Sequence, residues 1–230
     1  MISAAVSKTL WEELSQRYQL EWADVQVGSV KLKILQLQNL EGYLVSNIEA
    51  NALSMGNFPY WAMVWDAALV LADFLVRQEP QPAREILEIG AGLGFVGLCA
   101  GRRGHRITLT DNMPDALNFA RLSVYHNNLA NVAVEFLDWT KPTLSGRYDW
   151  IVGSDILYEE KTFASLGNIF ATYLKPQGKI YITQGIRGLG PKIFFEMMRS
   201  NYSVRYQEKK LGSQEGDKKI LFFEMQAKQP

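Results

Sequence analysis

The sequence predicts an α/β fold: a doubly wound, mostly parallel sheet of seven strands that ends in an antiparallel hairpin. An apolar run ending in Glu88 enters a glycine-rich turn at Gly90, Gly92 and Gly94, followed by a helix of small residues. Beyond this turn, strand and helix patterns alternate, which is typical of parallel crossover units. The last two strand patterns instead flank a polar turn with no helix between them, and this favours a closing hairpin.

The N-terminal region adds a helix and a separate β-hairpin. Residues 8–18 predict a short helix, because three large apolar residues share one side of it. Residues 25–37 alternate apolar and polar positions across Gly28-Ser29, a two-residue hairpin signal. We expect an N-terminal extension over residues 1–60 that packs on the core of a single compact domain over residues 61–230 and that could cover its ligand edge.

The remaining elements follow in chain order. An aromatic segment over 57–65 precedes an apolar helix for which Asp66 is the expected N-cap and which stops before Pro80. Later helices are predicted over 95–102, 114–127, 161–174 and 191–200. Later strands are predicted over 106–110, 132–137, 149–153, 178–184, 204–211 and 219–226, with the closing turn at 212–217.

The glycine turn predicts a site for a nucleoside-containing cofactor. Glycine leaves room for a ligand to approach the backbone and adopts positive φ without strain. The following helix N-terminus presents unpaired N–H groups to that ligand. Taken alone the signal is ambiguous, since Gly92-x-Gly94-x-x-Gly97 also fits the dinucleotide fingerprint.

Acidic residues stand at the ends of four successive predicted strands: Glu88, Asp111, Asp138 and Asp155. In an open α/β sheet, ligands bind at that edge. Asp111 lies about 20 residues after the glycine turn, the spacing expected of a carboxylate that binds ribose hydroxyls. Asp138 can accept from an adenine amino group while Trp139 stacks on the ring. Each acid by itself could instead cap the next helix, but all four together with the glycine turn favour ligand binding.

A carboxylate-rich edge favours a cationic cofactor that carries no phosphate. A pyrophosphate would be repelled there, whereas a sulfonium with an amino-acid tail would be attracted. The chain after the glycine turn is also short for a dinucleotide fold with a substrate domain. We therefore interpret the cofactor as S-adenosylmethionine rather than a nicotinamide dinucleotide.

Bulk composition excludes several other classes. At 230 residues and 47% apolar content the chain suits one domain, which we expect to be monomeric. A net charge of zero gives no indication of a nucleic-acid or membrane partner. The single cysteine, Cys99, is read as a core residue, and with His105 and His126 it lacks metal-ligand spacing, so no metal is expected. Without a leader pattern or a long apolar run, the expected location is the cytoplasm.

The chain resembles the class I, seven-strand, Rossmann-like methyltransferases. More narrowly it resembles the methyltransferase family 16 group, which contains protein-lysine methyltransferases acting on chaperones and elongation factors. The resemblance covers roughly residues 60–185, and the Trp-Asp-Ala-Ala and Asp-x-x-Tyr segments are more specific to this branch than the glycine segment. The four segments are Val64-Trp65-Asp66-Ala67-Ala68, Leu87-Glu88-Ile89-Gly90-Ala91-Gly92-Leu93-Gly94, Leu109-Thr110-Asp111 and Ser154-Asp155-Ile156-Leu157-Tyr158.

The resemblance implies a role for each site position. Asp155 and Tyr158 would face the reacting centre, Asp155 mainly to orient the acceptor amine. Tyr60 and Trp61 are candidates for an aromatic channel, which would disfavour the charged amine by burial and hold it against ring faces. The implied cofactor-binding residues are Trp65 at the methionine end, Glu88, Gly90, Gly92 and Gly94 along the loop, Asp111 and Asn112 at the ribose, Asp138 and Trp139 at the adenine, and Ser154 on the floor.

We thus expect an S-adenosylmethionine-dependent N-methyltransferase acting on a protein lysine. A small amine or heterocycle is the alternative acceptor, which an enclosed pocket beside Tyr60 would favour over an open groove. A nicotinamide-dependent reductase would place phosphates over 92–97, and a non-catalytic scaffold would not need all four acids. Trp61 and Trp65, four residues apart, could also be helix-face core, and Tyr158 could simply anchor its strand end.

Overall fold

The computed structural model describes residues 2–50, 58–186, 188–212 and 216–228. Short 3-10 turns cover Tyr60–Ala62 and Glu160–Thr162. The helices are α1 (Ala4–Ser15), α2 (Leu40–Glu49), α3 (Asp66–Val76), α4 (Phe95–Arg103), α5 (Pro114–His126), α6 (Phe163–Tyr173) and α7 (Gly190–Met198). The strands are β1 (Leu20–Val27), β2 (Val30–Leu37), β3 (Glu85–Ile89), β4 (Arg106–Asp111), β5 (Val132–Phe136), β6 (Tyr148–Ser154), β7 (Leu174–Gly185), β8 (Tyr202–Leu211) and β9 (Lys218–Ala227).

Strands β3 to β9 form one seven-stranded sheet in the order β5-β4-β3-β6-β7-β9-β8. Strands β3 to β7 pair in parallel, whereas β9 is antiparallel to both β7 and β8. The predicted fold class is therefore confirmed. Strands β1 and β2 form a separate antiparallel hairpin, also as predicted.

Helices cover both faces of the sheet. Apolar residues of β2, α3, α4 and α5 bury one face, and those of α6 and α7 bury the other. Strand β3 shows why both layers are needed, since Ile86 belongs to the first cluster and Leu87 and Ile89 to the second. Successive side chains of a strand point to opposite faces, so a parallel strand buried on both sides is continuously apolar. The loops after β3, β4, β5 and β6 consequently meet at one edge, the carboxyl edge.

Several predicted helix boundaries were wrong. Helix α1 begins earlier than residue 8, because the Ser3 hydroxyl accepts from the Val6 N–H at 3.3 Å and caps it. Asp66 is the first residue of α3 rather than its N-cap, and its carboxylate pairs with Lys218 at 2.9 Å. The helix predicted from residue 161 begins at Phe163, after a 3-10 turn.

Other differences concern whole segments. Helix α2 was not predicted, although Asn39 caps it by accepting from the Gly42 N–H at 2.9 Å. Strand β7 begins at Leu174, four residues before the predicted start, because Tyr148 of β6 pairs with Leu174 across a register shift. Of the predicted closing turn, residues 213–215 lie outside the described part of the chain, as does Asn57 of the aromatic segment.

The N-terminal hairpin lies away from the ligand edge, which the sequence suggested it could cover. It packs against α4 and α5. The Lys33 N–H donates to Asn127 Oδ1 at 3.0 Å, and the Leu35 N–H donates to the Ser123 hydroxyl at 2.9 Å. Side chains of α5 thus satisfy the outer edge of β2, while Val30 on its apolar face is buried against the helices.

The chain just after α1 is the part of the extension that reaches the carboxyl edge. Arg17 makes a two-pronged ion pair with Asp115 in the first turn of α5, at 2.6 and 2.7 Å. The Tyr18 hydroxyl donates to the same carboxylate at 2.6 Å. The Tyr18 ring also meets the edges of Trp61 and Phe119, with centroids 6.0 and 5.8 Å apart. These contacts fix the extension to the start of α5.

Replacing Asp115 should therefore destabilise the fold more than breaking an ordinary surface pair. We expect Asp115→Ala to lower the free energy of unfolding by about 1–3 kcal/mol, because it removes three charge-assisted hydrogen bonds from a half-buried carboxylate. Urea denaturation measures this loss. Asp73→Ala, which breaks the exposed Arg77–Asp73 pair within α3, is the control and should cost no more than about 0.5 kcal/mol. Equal losses of unfolding free energy in the two variants would contradict the role of Asp115 in fixing the N-terminal extension to α5.

Candidate active site

A cavity of about 700 Å³ opens at the carboxyl edge of the sheet. Its size falls within the range of ligand-binding pockets. The loops after β3, β4, β5 and β6 and the segment before α3 form its walls. The predicted site residues in its lining are Tyr60, Trp61, Trp65, Glu88, Gly90, Gly92, Asp111, Asn112, Asp138, Trp139, Ser154, Asp155 and Tyr158.

The glycine turn makes room for protein neighbours. Gly90 has φ +62°, and a Cβ there would lie 2.9 Å from Ile156 Cγ2. A Cβ on Gly92 would lie 2.8 Å from the carbonyl oxygen of Trp61. Gly94 is absent from the lining, contrary to its predicted place, because it starts α4 pressed against Leu109. The turn is thus shaped first by close packing of the cavity's own walls.

Asp111, the last residue of β4, holds two loops of this edge together. Its Oδ2 accepts from the Gly92 N–H and its Oδ1 from the Met113 N–H, both at 2.9 Å. Burial raises the pKa of this carboxyl, and the backbone hydrogen bonds oppose that rise. Each carboxylate oxygen can accept more than one hydrogen bond, so the group can also bind hydroxyls in the cavity. Asn112 lines the cavity beside it and is exposed.

Asp138 and Trp139 form a second wall, after β5. Asp138 Oδ1 accepts from the hydroxyl and the backbone N–H of Thr140, each at 2.8 Å, and these bonds hold its pKa below the ordinary value. The Trp139 indole lies against the glycine turn, and a Cβ added to Gly90 would lie 3.5 Å from its Cζ2 atom. A carboxylate and an aromatic face therefore stand side by side in the lining.

Glu88 differs in its surroundings from the other three acids at the strand ends. Its side chain is 2% exposed, and its Oε2 accepts from the Gly97 N–H in α4 at 2.7 Å. Burial raises its pKa to about 8 despite that hydrogen bond. Burial thus disfavours a negative charge on Glu88, and its hydrogen bond to Gly97 connects β3 to α4.

Asp155 links the loop after β6 to the end of β7. It has a left-handed backbone, φ +50°, a conformation that aspartate and asparagine tolerate better than most residues. Its Oδ1 accepts from Gln184 Nε2 at 2.9 Å and from the Gly185 N–H at 2.8 Å. The side-chain oxygen Oε1 of Gln184 in turn accepts from the Leu157 N–H at 3.1 Å. Sequence reasoning missed Gln184; the available signal was a polar side chain at the end of a predicted strand, beside the acids at the neighbouring strand ends.

Four aromatic side chains, which we call the aromatic gate, surround the mouth of the cavity: Phe58, Tyr60, Trp65 and Tyr158. The Tyr60 ring is central, with centroids 4.7 Å from Phe58, 6.3 Å from Trp65 and 6.0 Å from Tyr158. Trp65 Nε1 donates to the Tyr60 carbonyl at 3.0 Å. Tyr158 is 65% exposed and therefore faces solvent at the entrance. Phe58 was not among the predicted site residues, although it belongs to the aromatic segment.

Trp61 differs from the other predicted channel residue, Tyr60. Although it lines the cavity, Trp61 is only 9% exposed, and its ring packs against Phe119 and Tyr18. Its backbone carbonyl is the group that closes over Gly92. The ring is thus mainly a core residue that joins the N-terminal extension to the glycine turn.

The described residues contain no group of three or more His, Cys, Asp and Glu side chains that could hold a metal ion. Cys99 is fully buried, and burial raises the pKa of its thiol to about 12, so it is not a nucleophile. Within the described ranges, no helix combines the length and apolar character needed to cross a membrane.

Comparison with known proteins agrees with this geometry. A family model described as lysine methyltransferase matches residues 54–201. Over 149 residues the chain is 35% identical to the protein N-lysine methyltransferase METTL21A of Xenopus tropicalis, covering 62% of this chain and 69% of that protein. Over 114 residues it is 37% identical to the histone-arginine methyltransferase METTL23 of Rattus norvegicus, covering 46% of this chain and 51% of that protein.

A solved structure shows the same fold. The N-methyltransferase NodS of Bradyrhizobium japonicum WM9, crystallised with S-adenosyl-L-homocysteine, superposes with a TM-score of 0.56 at 18% identity. The match covers 69% of this chain and 86% of that one.

The raised pKa of Glu88 predicts a pH-dependent stability. Between its ordinary value of 4.5 and about 8, the folded state keeps a proton that the unfolded state has released, so raising the pH favours unfolding. Glu88→Gln keeps an acceptor for Gly97 and removes this titration. Across that window, urea denaturation should show the variant gaining stability over the parent by up to about 1.4 kcal/mol per pH unit.

Glu135→Gln, at an exposed position of β5, is the matched control and should follow the parent at every pH. Parallel stability curves for the parent and Glu88→Gln would show that Glu88 is ionised in the folded protein.

Proposed function

This chain belongs to the lysine methyltransferase family, and we propose that it transfers a methyl group to the side-chain amine of a lysine in another protein. The family model spans more than half of the chain. Membership makes the protein an S-adenosylmethionine-dependent methyltransferase. The observation that carries the proposal is one continuous cavity that joins the Asp111 and Asp138 carboxylates to the aromatic gate.

The residues present fit an adenosyl donor. Asp111 offers carboxylate oxygens that suit ribose hydroxyls, and Asn112 stands beside them. Asp138 can accept from the adenine amino group next to the Trp139 ring. We assign the opposite end of the cavity, with Trp65, Ser154 and the backbone of the glycine turn, to the methionine part. When bound, S-adenosylmethionine supplies an electrophilic methyl group on a positively charged sulfur.

The aromatic gate would receive the acceptor amine. An amine must lose its proton before its lone pair can attack carbon, and burial among rings lowers its pKa because it disfavours the charged form. The faces of Tyr60 and Tyr158 can also hold the ammonium on its way in. We assign to Asp155 the orientation of that amine, since its carboxylate lines the same cavity. Alignment of acceptor and donor is the main contribution expected from these side chains.

The open mouth favours a protein acceptor over a small amine. Tyr158 is 65% exposed, so the entrance can admit a side chain while the rest of its protein stays outside. Arginine is the second candidate acceptor, because the relative METTL23 is named a histone-arginine methyltransferase. A guanidinium is planar and stays charged, so an arginine acceptor requires an entrance of different shape and charge from one that admits a lysine amine.

We further propose that the enzyme acts as a monomer in the cytoplasm, without a nucleic-acid partner. Its net charge of zero supports the last point, and the buried free thiol of Cys99 suits a reducing compartment.

A labelling experiment tests the proposed reaction. Purified enzyme and S-adenosylmethionine carrying a tritiated methyl group are added to an extract of cells grown with a methylation inhibitor. We expect protein-bound label that is released as methyl-lysine on acid hydrolysis. Asp111→Ala should abolish this label and weaken S-adenosylhomocysteine binding at least 100-fold in calorimetry, because it removes the predicted ribose acceptor.

The hydrolysate separates the alternatives. Labelled methyl-arginine would identify the second candidate, and label found only in small molecules would refute a protein acceptor. Glu135→Gln serves as the control for both binding and transfer. Undiminished binding by Asp111→Ala would refute the ribose assignment.

Asp155→Asn tests the acceptor assignment. Asparagine keeps the Oδ1 that accepts from Gln184 and Gly185 and tolerates the left-handed backbone, so fold and cofactor affinity should stay within twofold of the parent. Without the negative charge at the acceptor, the rate of label transfer should fall at least tenfold, roughly 1.4 kcal/mol. Asp155→Ala, which also loses the two hydrogen bonds, should in addition lower the melting temperature. Transfer at the parental rate by Asp155→Asn would remove Asp155 from the acceptor site.

A further inference from the structure

Helix α7 and the loop before it carry an unusual row of exposed apolar side chains. We call it the α7 stripe, and its members are Ile186, Leu189, Ile193 and Met197, exposed by 53, 70, 43 and 40% respectively. Residues 189, 193 and 197 are spaced four apart and so share one side of the helix. The other side, with Phe194, Phe195 and Met198, is buried against the sheet. A helix that only covers a core would be polar on its outer side.

The stripe begins beside the aromatic gate. Strand β7 ends at the carboxyl edge, and the loop that follows it is joined to the loop that carries Tyr158. Asp155 Oδ1 accepts from the Gly185 N–H at 2.8 Å, and the Gln184 side chain accepts from the Leu157 N–H at 3.1 Å. A Cβ on Gly190 would lie 3.0 Å from the Leu157 carbonyl oxygen. These contacts bring the start of α7 against the residue that precedes Tyr158.

We propose that the α7 stripe and Tyr158 form the docking surface for the acceptor protein. This inference rests on the proposed function, and it specifies which surface of the enzyme selects the substrate. The occupant is an apolar segment of the acceptor protein that lies next to the lysine entering the aromatic gate.

Position and charge favour this occupant. The members of the stripe lie outside the cavity lining, so a small amine held in the cavity would not touch them. The exposed Glu160 lies two residues after Tyr158 and suits an approaching lysine ammonium, whereas Glu159 already pairs with Lys161 at 2.9 Å. Contiguous exposed apolar surface bordered by polar residues is typical of protein-binding sites. The acceptor segment should therefore combine a lysine with neighbouring apolar side chains.

The test compares label transfer by the parent and by the double variant Ile193→Ser/Met197→Ser. The substrate is the protein fraction of the methylation-inhibited extract, at limiting concentration, with tritiated S-adenosylmethionine. We expect the variant's initial rate of methyl-lysine formation to fall at least tenfold, while its affinity for S-adenosylhomocysteine stays within twofold of the parent. Ile193→Leu/Met197→Leu, which keeps the surface apolar, should restore most of the rate.

Val6→Ser removes a side chain of similar exposure, 45%, on α1 and should leave the rate unchanged. Equal labelling by the parent and the serine variant would overturn the docking surface and leave the proposed function intact. If the parent forms no methyl-lysine, both the proposed function and the docking surface that depends on it are refuted.

Sedimentation of the parent and the serine variant shows whether the α7 stripe binds a second copy of this chain instead of the acceptor protein. A parental dimer that becomes a monomer in the variant, with undiminished label transfer, would make the stripe a self-association surface and overturn the proposal.

Discussion

Buried and partly buried carboxylates hold the carboxyl edge of the sheet together, and the shape of the cavity depends on them. Asp111 accepts from two backbone amides in different loops, Glu88 connects β3 to α4, and Asp155 connects the loop after β6 to the end of β7. Each acid thus joins its own strand end or loop to another element of the fold. Leaving such amides unpaired in a buried place costs about 1–3 kcal/mol each. The residues that shape the cavity are therefore also placed to contact a ligand.

Because these carboxylates form structural hydrogen bonds as well as lining the cavity, the electrostatic interpretation of the site changes. A row of four negative charges would attract any cation, but burial raises the pKa of both Glu88 and Asp111 and so disfavours their charged forms. Hydrogen bonds from Thr140 lower the pKa of Asp138 and so favour its negative charge, at the end of the cavity that we assign to adenine. Attraction of the sulfonium by the whole edge is consequently weaker than the sequence pattern suggests. In the proposed site, shape and hydrogen bonding at Asp111 and Trp139 would therefore carry more of the selectivity for an adenosyl group.

Much of this could be predicted from the sequence, because strand periodicity and the acids at strand ends are local patterns. The parallel sheet, its closing hairpin and the strand-end location of the site all follow from them. What could not be predicted depends on contacts between distant segments. The N-terminal hairpin packs on α5 because Ser123 and Asn127 satisfy the edge of β2, and Gly94 serves the packing of α4 against Leu109. No spacing rule contains such pairings, nor the hydrogen bonds of Gln184.

The two ends of the cavity also differ in how they are supported. The end that we assign to the adenosyl group is built from strand-end residues held by backbone hydrogen bonds, and the N-terminal extension strengthens it, since Tyr18 packs on Trp61 and the Trp61 carbonyl lies over Gly92. The end that we assign to the acceptor is built from the aromatic gate and the start of α7, with Tyr158 and Leu189 largely in solvent. Exposed side chains can be exchanged with little effect on folding. Related enzymes can therefore keep one donor site while changing the protein they act on, and such changes should concentrate at the gate and the α7 stripe.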